Sequence, residues 1–220
     1  MTRVVAVHAN GGPEALSIED WTVGEPGPGQ VRLRQTAIGL NFIDTYQRSG
    51  LYPLPLPFVA GNEAAGVVTA VGEGVTEVQV GMRVCYQGTS GAYADERLAP
   101  VEKLVPIPDG IDDQTAAAIL LKGLTAYYLL FKTWPVQKGE TILWHAAAGG
   151  TGLIATQWAR ALGATVIGTA GGPEKVQKAL DHGCHHVIDY KAEDFPTLVK
   201  EFTGGRGVDV VYDGVGKATF

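Results

Sequence analysis

The sequence predicts an α/β chain in two parts: a β-rich amino-terminal half, then a parallel, doubly wound sheet. Three observations carry this. Before about residue 120, short runs alternate with the period of two that marks half-buried strands, and glycine turns separate them. From Thr141 onward, apolar strand-like runs alternate with helical patterns, the order that builds a parallel sheet. Joining the first of those strands to its helix is AAAGGTG (Ala146–Gly152), a turn of residues with almost no side chain.

In the first half, VRLR (Val31–Arg34), Gly66–Val71, Arg83–Tyr86 and Ala92–Leu98 read as strands, with GEG (Gly72–Gly74) as a turn between two of them. Together they suggest a partly open barrel. YPLPLP (Tyr52–Pro57) is a stiff, extended loop, because each proline fixes φ and biases the residue before it. Asp112 or Asp113 is suited to cap a helix starting near Gln114. The apolar stretch Thr115–Phe131 is short for a membrane span and carries Lys122 and Gly123, so it is read as a pair of buried helical pieces. The boundary falls near Lys122, giving domains 1–122 and 123–220.

In the second half, TILWH (Thr141–His145) is a strand and LIATQWARALGA (Leu153–Ala164) a helix. A strand (Ala164–Ala170), a helix (Pro173–His182), a strand (His186–Asp189), a helix (Ala192–Thr203) and a fourth strand (Val208–Tyr212) follow. A strand, a tight turn and a helix bring unpaired N–H groups and the positive end of a helix dipole to a pyrophosphate. Set against G-x-G-x-x-G, the matching positions are Ala147, Gly149 and Gly152. The backbone of Ala148, Gly149, Gly150, Thr151 and Gly152 is therefore the expected phosphate cradle. A competing reading makes these glycines purely structural. NAD-binding folds place a carboxylate about 20 residues on, at the adenosine ribose. Here that place reads TAGG (Thr169–Gly172), without one, which favours NADPH. Gly171 borders this place, Lys175 offers a cation, and Tyr190 a phenol donor. Gly214, after the fourth strand, is expected beside the coenzyme, since ligands sit beyond the carboxyl ends of parallel strands.

Composition excludes several classes. A net charge of −6 and the lack of a basic run disfavour nucleic acid. Only two cysteines occur, far apart and without metal spacing, as in a cytoplasmic protein with free thiols. The first residues lack an apolar core long enough for a signal peptide. No Ser-His-Asp, Cys-His or paired-carboxylate pattern supports hydrolysis.

Four motifs converge on one family. GNEAAGVV (Gly61–Val68), AIGLNFIDTYQRSGLYP (Ala37–Pro53), LLKGLTAYYLL (Leu120–Leu130) and HAAAGGTGLIATQWARALGA (His145–Ala164) together resemble the zeta-crystallin-like quinone oxidoreductases, the zinc-independent branch of the medium-chain dehydrogenases/reductases. The resemblance runs from His8 to Val215. It implies a GroES-like N-terminal domain, a Rossmann domain, NADPH-dependent reduction of quinones, and a homodimer. It also places Asn41 and Asp44 near the nicotinamide and Thr125 at the coenzyme, with Lys122 at the domain junction. Zinc-dependent relatives carry Cys in G-x-C-x-x-D and His in G-H-E. This chain has GLNFID (Gly39–Asp44) and GNE (Gly61–Glu63), and an amide is a poor zinc ligand, so no metal is expected. Without a Lewis acid, an electron-poor quinone or enone is the fitting substrate. Tyr46, Tyr52 and Asn41 are candidates to donate hydrogen bonds to the oxygen on which charge develops. His145 is expected to brace the turn rather than to donate protons.

The rivals are an NADPH-dependent enone or enoyl reductase and, from another class, a non-catalytic nucleotide-binding protein with a crystallin-like or RNA-binding role. A complete dinucleotide fold has about six strands. Four are counted here, so the chain is expected to be a C-terminally truncated enzyme or part of a longer one, and to be unstable or weakly active alone. Lys175→Ala is expected to weaken NADPH binding while sparing NADH. Fluorescence titration with both coenzymes checks this, and an unchanged NADPH affinity would sink the assignment.

Overall fold

The computed structural model describes residues 1–217 and 219 and divides into two compact units, Met1–Leu121 and Lys122–Phe220. In the first unit, β1 (Thr2–Val7), β2 (Leu16–Trp21), β3 (Gln30–Gly39), helix α1 (Phe42–Ser49), β4 (Phe58–Val59), β5 (Glu63–Val71), β6 (Arg83–Gln87), β7 (Glu96–Pro100) and β8 (Leu104–Pro106) follow one another. They form two antiparallel sheets, ordered β2-β1-β4 and β7-β3-β5-β6-β8. Val31, Leu33, Val68, Val84 and Tyr86 fill the core of the larger one.

Strand β3 runs five residues past the expected Arg34. Its register against β5 shifts between Arg32 and Leu33 and again between Gln35 and Ala37, so simple alternation fails in the sequence although pairing continues. The strand expected over Ala92–Leu98 is displaced to Glu96–Pro100. Tyr93 and Asp95 instead turn their N–H groups to the carbonyls of Ala60 and Arg3, at 2.8 and 2.9 Å, which anchors this stretch to the smaller sheet.

Helix α2 (Asp113–Tyr128) carries the division between the units. Asp112 caps it, its Oδ1 accepting the Thr115 N–H at 2.6 Å. The helix is continuous through Lys122–Gly123 and runs into a π-turn at Leu129–Thr133, so the two expected pieces are one. One interior glycine costs a helix only about 1 kcal/mol. Nor is the stretch mostly buried: Ala116, Ala117, Ala126 and Leu130 are, whereas Ile119, Leu124, Tyr127 and Tyr128 are exposed. By length and composition alone, Asp113–Thr133 is apolar enough to cross a membrane.

The second unit alternates β9 (Thr141–Trp144), α3 (Gly150–Ala161), β10 (Thr165–Ala170), α4 (Pro173–Asp181), β11 (His186–Asp189), α5 (Phe195–Phe202) and β12 (Val210–Tyr212). All four strands are parallel, in the order β11-β10-β9-β12. The chain thus winds outward from β9 in one direction and then crosses to its other side. Ile142, Trp144 and Val166 pack on one face with Ala155 and Ala159 of α3. Leu143, Ile167 and Ile188 pack on the other with Val199 of α5. A sheet covered on both faces needs such continuous apolar strands. The switch in winding direction leaves an opening at the carboxyl ends of β9 and β12.

Helix α3 starts three residues earlier than the sequence pattern suggests, so Gly150–Gly152 form its first turn. A Cβ on Gly152 would stand 2.6 Å from the carbonyl oxygens of both Ala146 and Ala147. Glycine lets the helix rest directly on the turn before it. Gly152→Ala is therefore expected to destabilise the fold by about 1–3 kcal/mol, read as a lowered urea midpoint. An unchanged midpoint would show that the turn yields without strain.

Candidate functional site

In the second unit, the turn after β9 is fixed from both sides. The His145 N–H bonds to the Tyr212 carbonyl at 3.0 Å, and the Ala147 N–H to the Thr169 carbonyl at 2.9 Å. The buried His145 ring pairs its Nδ1 with Thr169 Oγ1 at 2.9 Å and stands edge-on to Phe195 at 5.1 Å. Burial lowers its pKa, against a smaller upward pull from Asp213, which favours the neutral form of a ring that braces the turn. Ala146 adopts a left-handed φ of 54°, and its carbonyl accepts the Gly149 N–H at 2.9 Å.

Gly149 caps α3 without a side-chain hydrogen bond. Among the described residues, the N–H groups of Gly150, Thr151 and Gly152 have no backbone acceptor, as expected for a first helical turn. A Cβ on Gly150 would lie 2.8 Å from Lys122 Cδ, so the lysine stem passes over the helix start. Donors without acceptors, close-packed glycines and a nearby ammonium are what a pyrophosphate requires, so these residues fit a dinucleotide. Thr125 is half-buried on α2, beside the core residue Ala126. Gly214 is exposed beyond β12, in a turn held by Asp213, whose Oδ1 accepts the N–H groups of Val215 at 2.7 Å and Gly216 at 3.1 Å.

Gly171 and Gly172 follow β10, and Lys175 is exposed on the first turn of α4. A Cβ on Gly171 would meet the Tyr190 hydroxyl at 2.5 Å and Lys191 Cε at 3.1 Å, so both side chains lie against this glycine. The absence of a carboxylate holds for Thr169–Gly172 as a stretch of sequence but not for the turn in space. Asp189 Oδ1 accepts the Gly172 N–H at 3.0 Å and the Lys191 N–H at 3.1 Å. Asp189 and Lys191 escape a sequence reading because they follow a different strand. Their signal lies in register: Asp189 pairs with Ala170 at the ends of parallel strands.

In the first unit, Asn41 caps α1, and its N–H donates to Asp44 Oδ2 at 2.9 Å. Asp44 is buried and accepts two further bonds, from Asn62 Nδ2 at 2.7 Å and the Tyr93 hydroxyl at 2.8 Å. Burial and that carboxylate push the Tyr93 phenol pKa up. Asn41 Nδ2 donates to Glu63 Oε2 at 2.8 Å, and the Leu121 N–H to Glu63 Oε1 at 2.7 Å. The Glu63 side chain is fully buried. The two amides at the zinc-ligand positions of the motif are thus hydrogen-bond donors to buried carboxylates. Among the described residues, no three His, Cys, Asp or Glu side chains group as a metal site.

Leu40, Asn41, Phe42, Thr45, Arg48 and Tyr93 help line a concavity of about 400 Å³. Tyr46 and Tyr52 are not part of that lining. They form an edge-to-face pair at 5.4 Å, tied by the Tyr52 N–H to the Tyr46 carbonyl at 3.1 Å. Tyr52 is 52% exposed, and among the described residues neither phenol oxygen has a hydrogen-bond partner. The structure therefore gathers Asn41 and Asp44 into one network and the two tyrosines into another pair. Glu63, Tyr93 and Arg48 are additions that residue type alone did not single out, and Asn62 stands out only as the amide in place of a zinc-ligating histidine.

Residues 27–109 match the family described as alcohol dehydrogenase GroES-like domain, and residues 150–220 that described as zinc-binding dehydrogenase. The chain is 54% identical over 222 residues to a quinone oxidoreductase of Pseudomonas aeruginosa and 53% identical over 227 residues to a 2-haloacrylate reductase of Burkholderia. It is covered completely in both cases and spans 68% of each relative. The crystal structure of Escherichia coli quinone oxidoreductase complexed with NADPH superposes with a TM-score of 0.96 at 49% identity, over all of this chain and 68% of that one.

Since its folded pKa is depressed, neutral His145 contributes stability that is present above about pH 6.5, the ordinary histidine value, and is lost as pH falls below it. His145→Asn is expected to flatten the fall of the urea midpoint between pH 7.5 and 5.5. An identical pH dependence would show that the ring protonates freely in place.

Proposed function

Because this chain belongs to the quinone oxidoreductase family of the medium-chain dehydrogenases/reductases, we propose that it reduces quinones with NADPH and without zinc. The observation that carries the reading is the start of α3. Its small residues and acceptor-free N–H groups fit a dinucleotide, in a chain half identical to a relative solved with NADPH. NADPH, when bound, supplies the hydride. The N–H groups of Gly150, Thr151 and Gly152, with the adjoining Ala148 and Gly149, receive the pyrophosphate. Lys175 and Tyr190 hold the 2′-phosphate, while Thr125 and Gly214 border the coenzyme.

Reduction of a quinone places negative charge on a carbonyl oxygen, which then takes up a proton. Preformed donors aimed at that oxygen lower the barrier. Tyr52, exposed and with its hydroxyl uncommitted, is proposed as the principal donor, with Tyr46 behind it. Asn41, whose side-chain amide is oriented by its bond to Glu63, is proposed as a further donor to that oxygen. Asp44 acts as a positioning residue, holding the start of α1. Family membership also supports a cytoplasmic homodimer.

A second reading, reduction of an electron-poor alkene, is favoured by the similarity to the 2-haloacrylate reductase and by Arg48, a cation in the lining of the concavity that also holds Asp44. A panel of benzoquinone, an enone and 2-chloroacrylate separates the two. Quinone turnover at least tenfold above the others supports the first, and the reverse order the second. Tyr52→Phe is expected to lower kcat for benzoquinone by about tenfold or more while leaving the NADPH dissociation constant unchanged. An unchanged kcat would assign this phenol to packing.

A further inference from the structure

The residue at the end of the second strand of a dinucleotide fold meets the adenosine ribose, and its charge sets the preference between a free hydroxyl and a phosphate there. In this chain that position is Ala170, which carries no charge. The neighbouring strand supplies what it lacks. Asp189 is the register partner of Ala170, and its carboxylate reaches into the turn after β10 through the Gly172 N–H at 3.0 Å. Two residues on, the Lys191 stem lies against Gly171 beside the Tyr190 hydroxyl. One segment, Asp189–Lys191, thus brings a negative and a positive side chain to the same two-glycine turn.

We propose that Asp189 and Lys191 are opposed determinants of coenzyme selectivity. Asp189 disfavours a 2′-phosphate and so holds down the preference for NADPH over NADH, and Lys191 raises it. The inference rests on the NADPH reading above. Asp189 is also a structural acceptor for two backbone N–H groups. Asp189→Asn keeps an acceptor oxygen while removing the charge, which separates the two roles.

The test is calorimetric or fluorescence titration of the purified protein and its variants with NADPH, NADH and 2′,5′-ADP. Asp189→Asn is expected to tighten NADPH and 2′,5′-ADP by about fivefold, the scale of like charges a few ångströms apart near water, and to leave NADH within about twofold. Lys191→Gln is expected to weaken NADPH and 2′,5′-ADP by a similar factor without affecting NADH. The double variant then returns near the original ratio. An unchanged NADPH to NADH ratio in Asp189→Asn, or equal shifts for both coenzymes, overturns the role of Asp189. Lys191 is exposed, so Lys191→Gln decides its half even if Asp189→Asn does not fold. A wild-type protein that binds neither coenzyme would instead sink the functional reading itself.

Discussion

A carboxylate removed from water must be met by donors, because its desolvation otherwise exceeds anything that packing returns. Asp44 is such a group, and three segments converge on it: the start of α1 through the Asn41 N–H, the Gly61–Glu63 loop through Asn62, and the loop after β6 through Tyr93. Tyr93 lies 49 residues from Asp44, so this bond alone closes much of the first unit. Glu63, the second buried carboxylate, continues the chain of donors through Asn41 to the Leu121 N–H in α2. The concavity lined by Asn41, Arg48 and Tyr93 owes its shape to these two acids. The proposed donors Tyr46 and Tyr52 are carried by the helix they anchor and the loop that follows it.

The second unit is built on close approach rather than on buried charge. Its glycines serve two ends. Gly152 lets α3 settle on the carbonyls of the preceding turn, while Gly171 makes room for the Tyr190 hydroxyl and the Lys191 stem. His145 joins β9 to β12 through its backbone and to β10 through its ring, so the turn after β9 is held by three strands at once. A coenzyme platform gains from such rigidity, since donors that are already in place need no rearrangement when the ligand arrives.

Much of the second unit was legible in the residue pattern. The order of strands and helices follows from apolar runs of the right length, and His186–Asp189 is found where it was read. The misses have physical causes. The start of α3 was read late because glycine is a poor helix former, and propensity cannot register that close packing requires it there. In β3, bulges hide the continuing ladder from a rule that counts every second residue. The candidate site's local geometry was legible where motifs run contiguously, as in Gly149–Gly152 and Asn41–Asp44. It was illegible where partners come from separate strands, as with Asp189 beside Gly172 or Asn62 beneath Asp44. Such pairs exist only once register is set.

The amide pair Asn41–Asn62 also acts as a ratchet. Restoring a thiol at position 41 would strip Glu63 of a donor, and an imidazole at position 62 would leave Asp44 or Gln47 short of one. Each step alone removes a donor from a buried acceptor, and a buried polar group that loses its partner costs about 1–3 kcal/mol. Placing a single zinc ligand at position 41 or 62 therefore runs uphill in this network.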